Sequence, residues 1–133
     1  MTWSIVAFDA ATSAFGVAVA TKNFAVGATV PHLRAGVGAV ATQSISNRYL
    51  GPAVLDGLER GLTPALAIAG AVAADEGRGL RQVHAVDRHG ARCGLDRAPM
   101  RCLVRRAHGC AHVGRRQYAR RAGGGRCDVR CHG

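Results

Sequence analysis

Short apolar runs separated by turn residues divide the first part of the chain into predicted strands. Two of these runs, at 3–8 and 16–21, flank the small and polar segment 9–13. This arrangement predicts an antiparallel hairpin, because a compact polar turn lets two successive strands pair. The apolar segment 36–43 predicts a third substantial strand.

Further strands are predicted on either side of that segment. A short strand at 28–30 should be stopped by Pro31, because proline has no backbone N–H to donate to a sheet. Residues 82–87 predict a later strand, and 87–90 predict the hairpin turn that leads to another strand after Gly90.

Between these strands the apolar spacing changes to that of helices. The first predicted helix has Pro52 near its first turn and Gly61 at its end, and its apolar face consists of Leu50, Val54, Leu55 and Leu58. The second begins with Thr63 as N-cap and Pro64, ends at Gly77, and has an apolar face of Leu66, Ile68, Ala69, Val72 and Ala73. Strands, two helices and then strands again predict an α+β layered fold.

Composition changes sharply after Gly90. Residues 1–90 hold seven Lys or Arg and six Asp or Glu, whereas residues 91–133 hold eleven Arg, no Lys, two Asp and all five cysteines. The net charge of +10 therefore comes almost entirely from the second segment. We predict two parts, 1–90 as a portion of a globular domain and 91–133 as a disordered Arg/Cys-rich tail.

Thr2 follows the initiator methionine directly. Removal of Met1 would leave a free α-amine beside a hydroxyl, and such an amine can act as the general base for its own hydroxyl nucleophile. Thr2 is also placed at the head of the first predicted strand. The alternative is an ordinary exposed chain start, since threonine is common at this position.

The segments TWSIVAFD at 2–9, GVAVATKNFAVG at 16–27 and RAGVGAVATQ at 34–43 closely resemble domain-of-unknown-function family 1028. The resemblance continues through both helices to Gly90. It implies the N-terminal-nucleophile (Ntn) hydrolase-like superfamily, a four-layer αββα sandwich, and Thr2 as the nucleophile of an amide-bond hydrolase. The reaction itself is an analogy from the fold.

Two charged residues are candidates beside Thr2. Lys22 would place positive charge near Thr2 and so lower the pKa of its amine or hydroxyl, unless it is a solvated turn lysine. Asp9 would orient Lys22 or, alternatively, cap the 9–13 turn.

Polar residues follow the predicted strand 36–43. Gln43, Ser44 and Asn47 are candidates to line a substrate cleft or to supply oxyanion donors, and loop polarity is the alternative. We expect His32 to be an exposed loop residue, and His84 to be a packed or surface residue of its strand rather than a base.

The tail resembles family sequence read in the wrong frame. A shifted codon consists of the last two bases of one codon and the first base of the next. Read in this way, codons that the genetic code permits for residues 95–104 can give Trp-Thr-Gly-x-x-Cys-x-x-Trp. Residues 113–123 permit Ser-Val-Ala-Gly-Asn-Met-Leu-Ala-Gly-Pro, and the family carries similar strings at this point. We therefore predict a frame-shifted, truncated and inactive chain, in which the apolar faces of 3–8, 16–20 and 37–41 stay open to water.

Two functional interpretations of the tail compete with the frameshift. Its paired arginines and Tyr118 favour a non-catalytic binding module whose basic tail grips nucleic acid, and charge alone predicts nonspecific binding. The tail also offers ligand types for zinc, but its cysteines and histidines lack a Cys-x-x-Cys knuckle and have irregular spacing.

The sequence also bears on the cellular location and the partners of the protein. Met1 is not followed by a signal-peptide pattern, and the longest apolar stretch, 65–74, is too short and too rich in alanine to span a membrane. We therefore expect a cytoplasmic chain with reduced thiols, no cofactor, no metal and no membrane partner. The expected partners are a small amide or peptide-like substrate and further copies of the chain in a homo-oligomer.

Overall fold

The computed structural model describes residues 2–96, 102–103 and 110–116, and these residues form eight strands and two α-helices. In chain order the elements are β1 (Thr2–Asp9), β2 (Ala14–Thr21), β3 (Pro31–Arg34), β4 (Gly38–Gln43), α1 (Leu50–Glu59), α2 (Pro64–Ala73), β5 (Gln82–Asp87), β6 (Arg92–Asp96), β7 (Cys102–Leu103) and β8 (Cys110–Arg116). Single 3-10 turns lie at Val26–Ala28 and Arg78–Leu80.

The strands form two antiparallel sheets of four strands each. The first sheet has the order β2-β1-β8-β7, and the second has the order β3-β4-β5-β6. The predicted hairpin is confirmed, because β1 and β2 pair from Thr2 opposite Thr21 to Asp9 opposite Ala14. The predicted turn after β5 is also present, and the second sheet continues through Gly90 into β6.

The two central strands of the second sheet, β4 and β5, are buried on both faces. Side chains directly opposite each other in antiparallel strands share a face, so the β4–β5 register assigns its residues to two alternating sets. Ala39, Ala41 and Val86 pack with Val6 and Phe8 of the first sheet. On the other face, Val40, Val83 and Ala85 pack with residues of α1 and α2.

This packing corrects one expectation about the core. The face at 37–41 was expected to stay open to water, but all five residues are buried. On β1 the inward residues Ser4, Val6 and Phe8 are also buried, whereas β2 alternates between exposed and half-buried. The prediction was wrong for 37–41 and for the inner face of β1, because the two sheets pack on each other and the helices cover the second sheet.

The second helix begins where its cap predicts. The Thr63 side chain accepts a hydrogen bond from the backbone N–H of Leu66 at 3.4 Å, and Pro64 occupies the first turn. Its buried residues are Pro64, Ala67, Ile68 and Val72. Leu66, Ala69 and Ala73 are exposed, so the predicted face was partly wrong. A helix that is apolar all round has too weak a period to specify its buried face.

The short strand near Pro31 was also misplaced. Residues 26–28 form a 3-10 turn, and β3 begins at Pro31 itself. Proline is tolerated there because it is the first residue of an edge strand. His32, expected in an exposed loop, is half-buried in β3 against Gly51 of α1. A β-carbon on Gly51 would clash with the His32 ring, so α1 approaches β3 this closely only because residue 51 is glycine.

The described residues have mixed α+β content, as predicted, in three layers: helices, second sheet and first sheet. The predictions for the tail at 97–101, 104–109 and 117–133 concern residues outside those that the structure describes. No helix in the described part of the chain is long and apolar enough to cross a membrane.

Candidate active site

The inward face of β1 changes character along the strand. Thr2, Ser4, Val6 and Phe8 all point inward and are at most 7% exposed. The first two are polar and the last two are apolar. The end of the inter-sheet layer that contains Thr2 is therefore polar, and the opposite end is apolar.

Thr2 is buried at the head of β1, with 3% of its surface exposed. Its hydroxyl lies 2.9 Å from the hydroxyl of Thr21, which is its partner on β2. Thr21 Oγ1 also accepts a hydrogen bond from the Asn23 N–H at 3.3 Å. The Thr2 side chain is thus held in one place by the neighbouring strand.

Next to Thr2, four buried side chains form a polar cluster of Ser4, Gln43, Gln82 and His84, each at most 5% exposed. The Ser4 hydroxyl donates to Gln43 Oε1 at 2.9 Å, and Gln43 Nε2 donates to Gln82 Oε1 at 2.7 Å. Ser4 Oγ also lies 3.3 Å from His84 Nε2. The polar cluster therefore joins β1 of one sheet to β4 and β5 of the other.

The donors in the polar cluster have a fixed direction. A serine hydroxyl has one proton, and Ser4 gives it to Gln43. The contact between Ser4 and His84 therefore needs His84 Nε2 to be the donor. In this arrangement His84 does not take the Ser4 proton, so Ser4 and His84 do not form a nucleophile and base pair.

The loop that follows β4 lies at the same end of the second sheet. Ser44 and Ile45 both have left-handed backbone conformations, with φ of 66° and 55°. Such conformations are strained for residues other than glycine and persist only where surrounding contacts impose them. Here Arg81 donates to the Ile45 carbonyl oxygen and so helps to hold the loop.

Asp75 connects this loop to the end of α2. Its carboxylate forms a salt bridge with Arg81, with Nε to Oδ2 at 2.7 Å, and it accepts from the Gly77 N–H at 2.9 Å. The Asn47 amide nitrogen lies 3.5 Å from the same carboxylate. Hydrogen bonding from Arg81 is the main cause that lowers the pKa of Asp75, and burial opposes it. The anchored loop carries two predicted site residues, Ser44 and Asn47.

Asp9 does not lie with the other candidates. It is at the opposite end of the eight-residue strand β1 from Thr2, and it pairs with Ala14. Its carboxylate accepts from Thr12 Oγ1 at 2.6 Å and from the Ala11 N–H at 3.1 Å. These hydrogen bonds lower its pKa. The structure places Asp9 in the turn role and far from Lys22, so it does not orient that residue.

Lys22 follows the last residue of β2 and is exposed. Because Thr21 is opposite Thr2, Lys22 is next in sequence to the Thr2 partner. The structure therefore brings Thr2, Gln43 and the 44–47 loop to one end of the molecule, with Lys22 beside them.

Sequence reasoning passed over Ser4 and Gln82 and assigned no chemistry to His84. A weak signal was present, because Thr2 and Ser4 interrupt the apolar face of a buried strand at alternate positions. Their partners on β4 and β5 depend on tertiary pairing between two sheets, which no local pattern reports.

No group of three or more potential metal ligands occurs in the part of the chain described by the structure. Cys93 is buried in the core between the second sheet and the helices. It lines an apolar cleft of about 540 Å³ between α2 and β6, with Ile68, Val72 and Leu95. This cleft lies on the helix side of the second sheet and is separate from the polar cluster.

A family model described as a family of unknown function, DUF1028, matches residues 2–111. The chain belongs to this DUF1028 family. The match extends past Gly90 and includes the whole polar cluster. No curated protein matches the chain.

A solved DUF1028 structure has the same fold. The crystal structure of protein SPO2555 from Silicibacter pomeroyi is 28% identical, with a TM-score of 0.75. The match covers 86% of this chain and 52% of that one. The chain therefore spans about half of the length of this DUF1028 relative.

Proposed function

We propose that this DUF1028 chain carries the nucleophile half of an N-terminal-threonine amidohydrolase of the Ntn type. The observation that carries the proposal is the position of Thr2 at the head of a central strand, buried between two sheets at their polar end. The surrounding residues supply hydroxyl and amide groups and the imidazole of His84. The substrate class is a small amide or peptide-like molecule.

The covalent steps involve Thr2, the substrate amide and a water molecule. After Met1 is removed, the α-amine of Thr2 accepts the Oγ1 proton while Oγ1 attacks the carbonyl carbon of the substrate. The carbon–nitrogen bond then breaks, and the leaving amine takes that proton from the α-ammonium group. Water, activated by the same amine, hydrolyses the resulting ester and releases the acid.

The neighbouring residues have supporting roles in this proposal. The Thr21 hydroxyl orients Thr2 Oγ1, with the two oxygens 2.9 Å apart. The positive charge of Lys22 favours the neutral amine of Thr2 at neutral pH. Backbone N–H groups and side chains of the 44–47 loop form the edge of the substrate cleft and provide oxyanion donors, and the buried Gln43 supports this edge through its hydrogen bonds to Ser4 and Gln82.

The proposal includes the loss of activity in this particular chain. The Arg/Cys-rich composition of the segment after Gly90, together with the family-like strings that the genetic code permits in another reading frame, supports a frameshift. A shifted frame would replace the family residues that follow, and with them the groups that those residues contribute. The Ntn-like αββα sandwich would then be incomplete here.

Covalent trapping tests the nucleophile without requiring turnover. An α′,β′-epoxyketone joins an N-terminal threonine through both its hydroxyl and its amine, and mass spectrometry locates the adduct. We expect the mature chain to begin at Thr2 and to carry the adduct there, with labelling retained in Thr2→Ser and lost in Thr2→Ala. A mature Thr2 that stays unlabelled while another residue reacts would overturn the proposal.

The frameshift is tested separately. We expect resequencing and single-base correction upstream of the Arg-rich segment to produce a longer chain that contains Gly-Asn-Met-Leu-Ala-Gly and hydrolyses amides. The chain as it stands should turn over no faster than its Thr2→Ala variant. Turnover well above that variant would support the nucleophile and contradict the loss of activity.

A further inference from the structure

We propose that Ser4 is a positioning residue that fixes the Thr2 end of β1 to the second sheet. It acts through a one-way hydrogen-bond chain from His84 through Ser4 and Gln43 to Gln82. The significance of Thr2 rests on the proposed function, but the linkage between the sheets does not.

The geometry makes Ser4 the junction of this chain. Its hydroxyl is the donor to Gln43 at 2.9 Å and faces His84 Nε2 at 3.3 Å. Gln43 in turn donates to Gln82 at 2.7 Å, so that Gln43 is the acceptor in one link and the donor in the next. Each link joins a donor to an acceptor. If one side chain reversed its orientation alone, a buried polar atom would lose its hydrogen bond.

The apolar contacts between the sheets supply attraction but little direction. Val6, Ala39, Ala41 and Val86 are packed apolar groups, and apolar packing does not specify a single alignment as hydrogen bonds do. Thr2 is two residues from Ser4 on the same face of β1. Since strand ends open more easily than strand centres, a directional link here would limit the movement of the proposed nucleophile.

Hydrogen exchange tests the linkage without any substrate. Ser4→Ala removes the junction, and Val6→Ala is the matched control because it removes apolar volume from the same face of the same strand. After correction for global stability, we expect Ser4→Ala to speed amide exchange at 3–5 at least tenfold and Val6→Ala less than twofold. Ser4→Thr, which keeps the hydroxyl, should stay near the parent rate.

Trp3 provides an independent optical readout. It is the sole tryptophan of the sequence and lies between Thr2 and Ser4. Acrylamide should quench the Trp3 fluorescence more strongly in Ser4→Ala than in the parent, and equally strongly in Val6→Ala and the parent. If Ser4→Ala does not fold, Ser4→Cys keeps a similar shape with a much weaker donor and should show the same change in reduced form. Equal corrected exchange rates in the Ser4 and Val6 variants would overturn the proposal.

Labelling distinguishes the linkage from the proposed function. Per folded molecule, we expect epoxyketone labelling of Thr2 to slow at least tenfold in Ser4→Ala and to change less than twofold in Val6→Ala. If the exchange results hold while Thr2 is never labelled, the amidohydrolase proposal fails and the linkage stands. If labelling depends equally on both variants, Ser4 has no positioning role.

Discussion

The two ends of the inter-sheet layer are built from the same strands but are held together differently. At the Thr2 end, Ser4 meets Gln43 and His84 through hydrogen bonds. At the other end, Phe8 packs against Phe15, with ring centroids 5.0 Å apart, and both belong to the apolar contacts of the layer. Strand geometry is the same at both ends, so the side chains alone create the contrast.

The contrast assigns different physical roles to the two ends. Apolar burial contributes most of the stabilisation and tolerates small changes in alignment. Buried hydrogen bonds contribute less net free energy but impose one arrangement, because an unpaired buried group is costly. The apolar end therefore keeps the sheets together, and the polar end determines where Thr2 lies.

The strongest test of this division is truncation at the apolar end. Phe8→Ala should lower the free energy of unfolding by about 3–5 kcal/mol, because it removes a buried ring and leaves a cavity. Leu33→Ala is the control, since Leu33 is half exposed, and it should change stability by less than about 0.5 kcal/mol. Urea unfolding followed by circular dichroism measures both, and equal losses would contradict the role of the apolar end.

A charge introduced at the polar end gives the next largest effect. Gln43→Glu should cost about 3 kcal/mol at pH 7, because a buried carboxylate would face Gln82 Oε1 without a proton to donate. Burial raises the pKa of the new carboxyl above its unfolded value of about 4.3, so the protonated form restores the donor. The loss of folding stability caused by Gln43→Glu should therefore shrink as pH falls towards 4 and grow as pH rises.

Stability curves from pH 4 to pH 8 measure this dependence. Asn23→Asp is the control, because Asn23 is exposed, and the stability of this variant relative to the parent should change little with pH. A Gln43→Glu loss that stays constant across this range would contradict a buried polar end.

Removal of the loop anchor should have a smaller effect. Asp75→Asn should cost about 2 kcal/mol at neutral pH by breaking the salt bridge to Arg81. The folded pKa of Asp75 lies below 3.8, so its contribution is full above that value and is lost as pH falls through the folded pKa. Parent and variant stabilities should therefore converge in acid, as thermal unfolding at several pH values would show.

The smallest effects come from the exposed charges at the two ends. Asp9→Asn should leave Thr2 labelling within twofold of the parent, because Asp9 holds a turn at the far end of β1. Lys22→Met should slow labelling severalfold at neutral pH and move its pH profile upward, since removal of a nearby positive charge raises the pKa of the Thr2 amine. The reverse ranking in a labelling assay would contradict the placement of both residues.

Local patterns were sufficient for much of the fold. Turn residues between apolar runs predicted β1 and β2, and Thr63-Pro64 located the start of α2. The pattern did not specify which side of α2 is buried, because alanine-rich sequence presents apolar surface in every direction. It also placed a strand before Pro31 rather than at it, since an edge position becomes visible only when the sheet order is known.

The site was less accessible to sequence reasoning. Thr2 and Gln43 could be proposed from their positions at strand ends, but the pairing of Gln43 with Ser4 joins residues 39 positions apart. His84 becomes part of the site only because β5 lies beside β4 and faces β1. Such partners are set by how the sheets stack, and the resemblance to a family of unknown function does not assign them.

The close approach of α1 to β3 has a consequence for how this sequence can change. The imidazole of His32 occupies the space that a side chain at Gly51 would need, so any larger residue at 51 requires a smaller one at 32. With His32 in place, a substitution at the glycine would push the helix away from the sheet that it covers. The side chain that position 51 can hold therefore depends on the residue at 32, although the two lie on different elements.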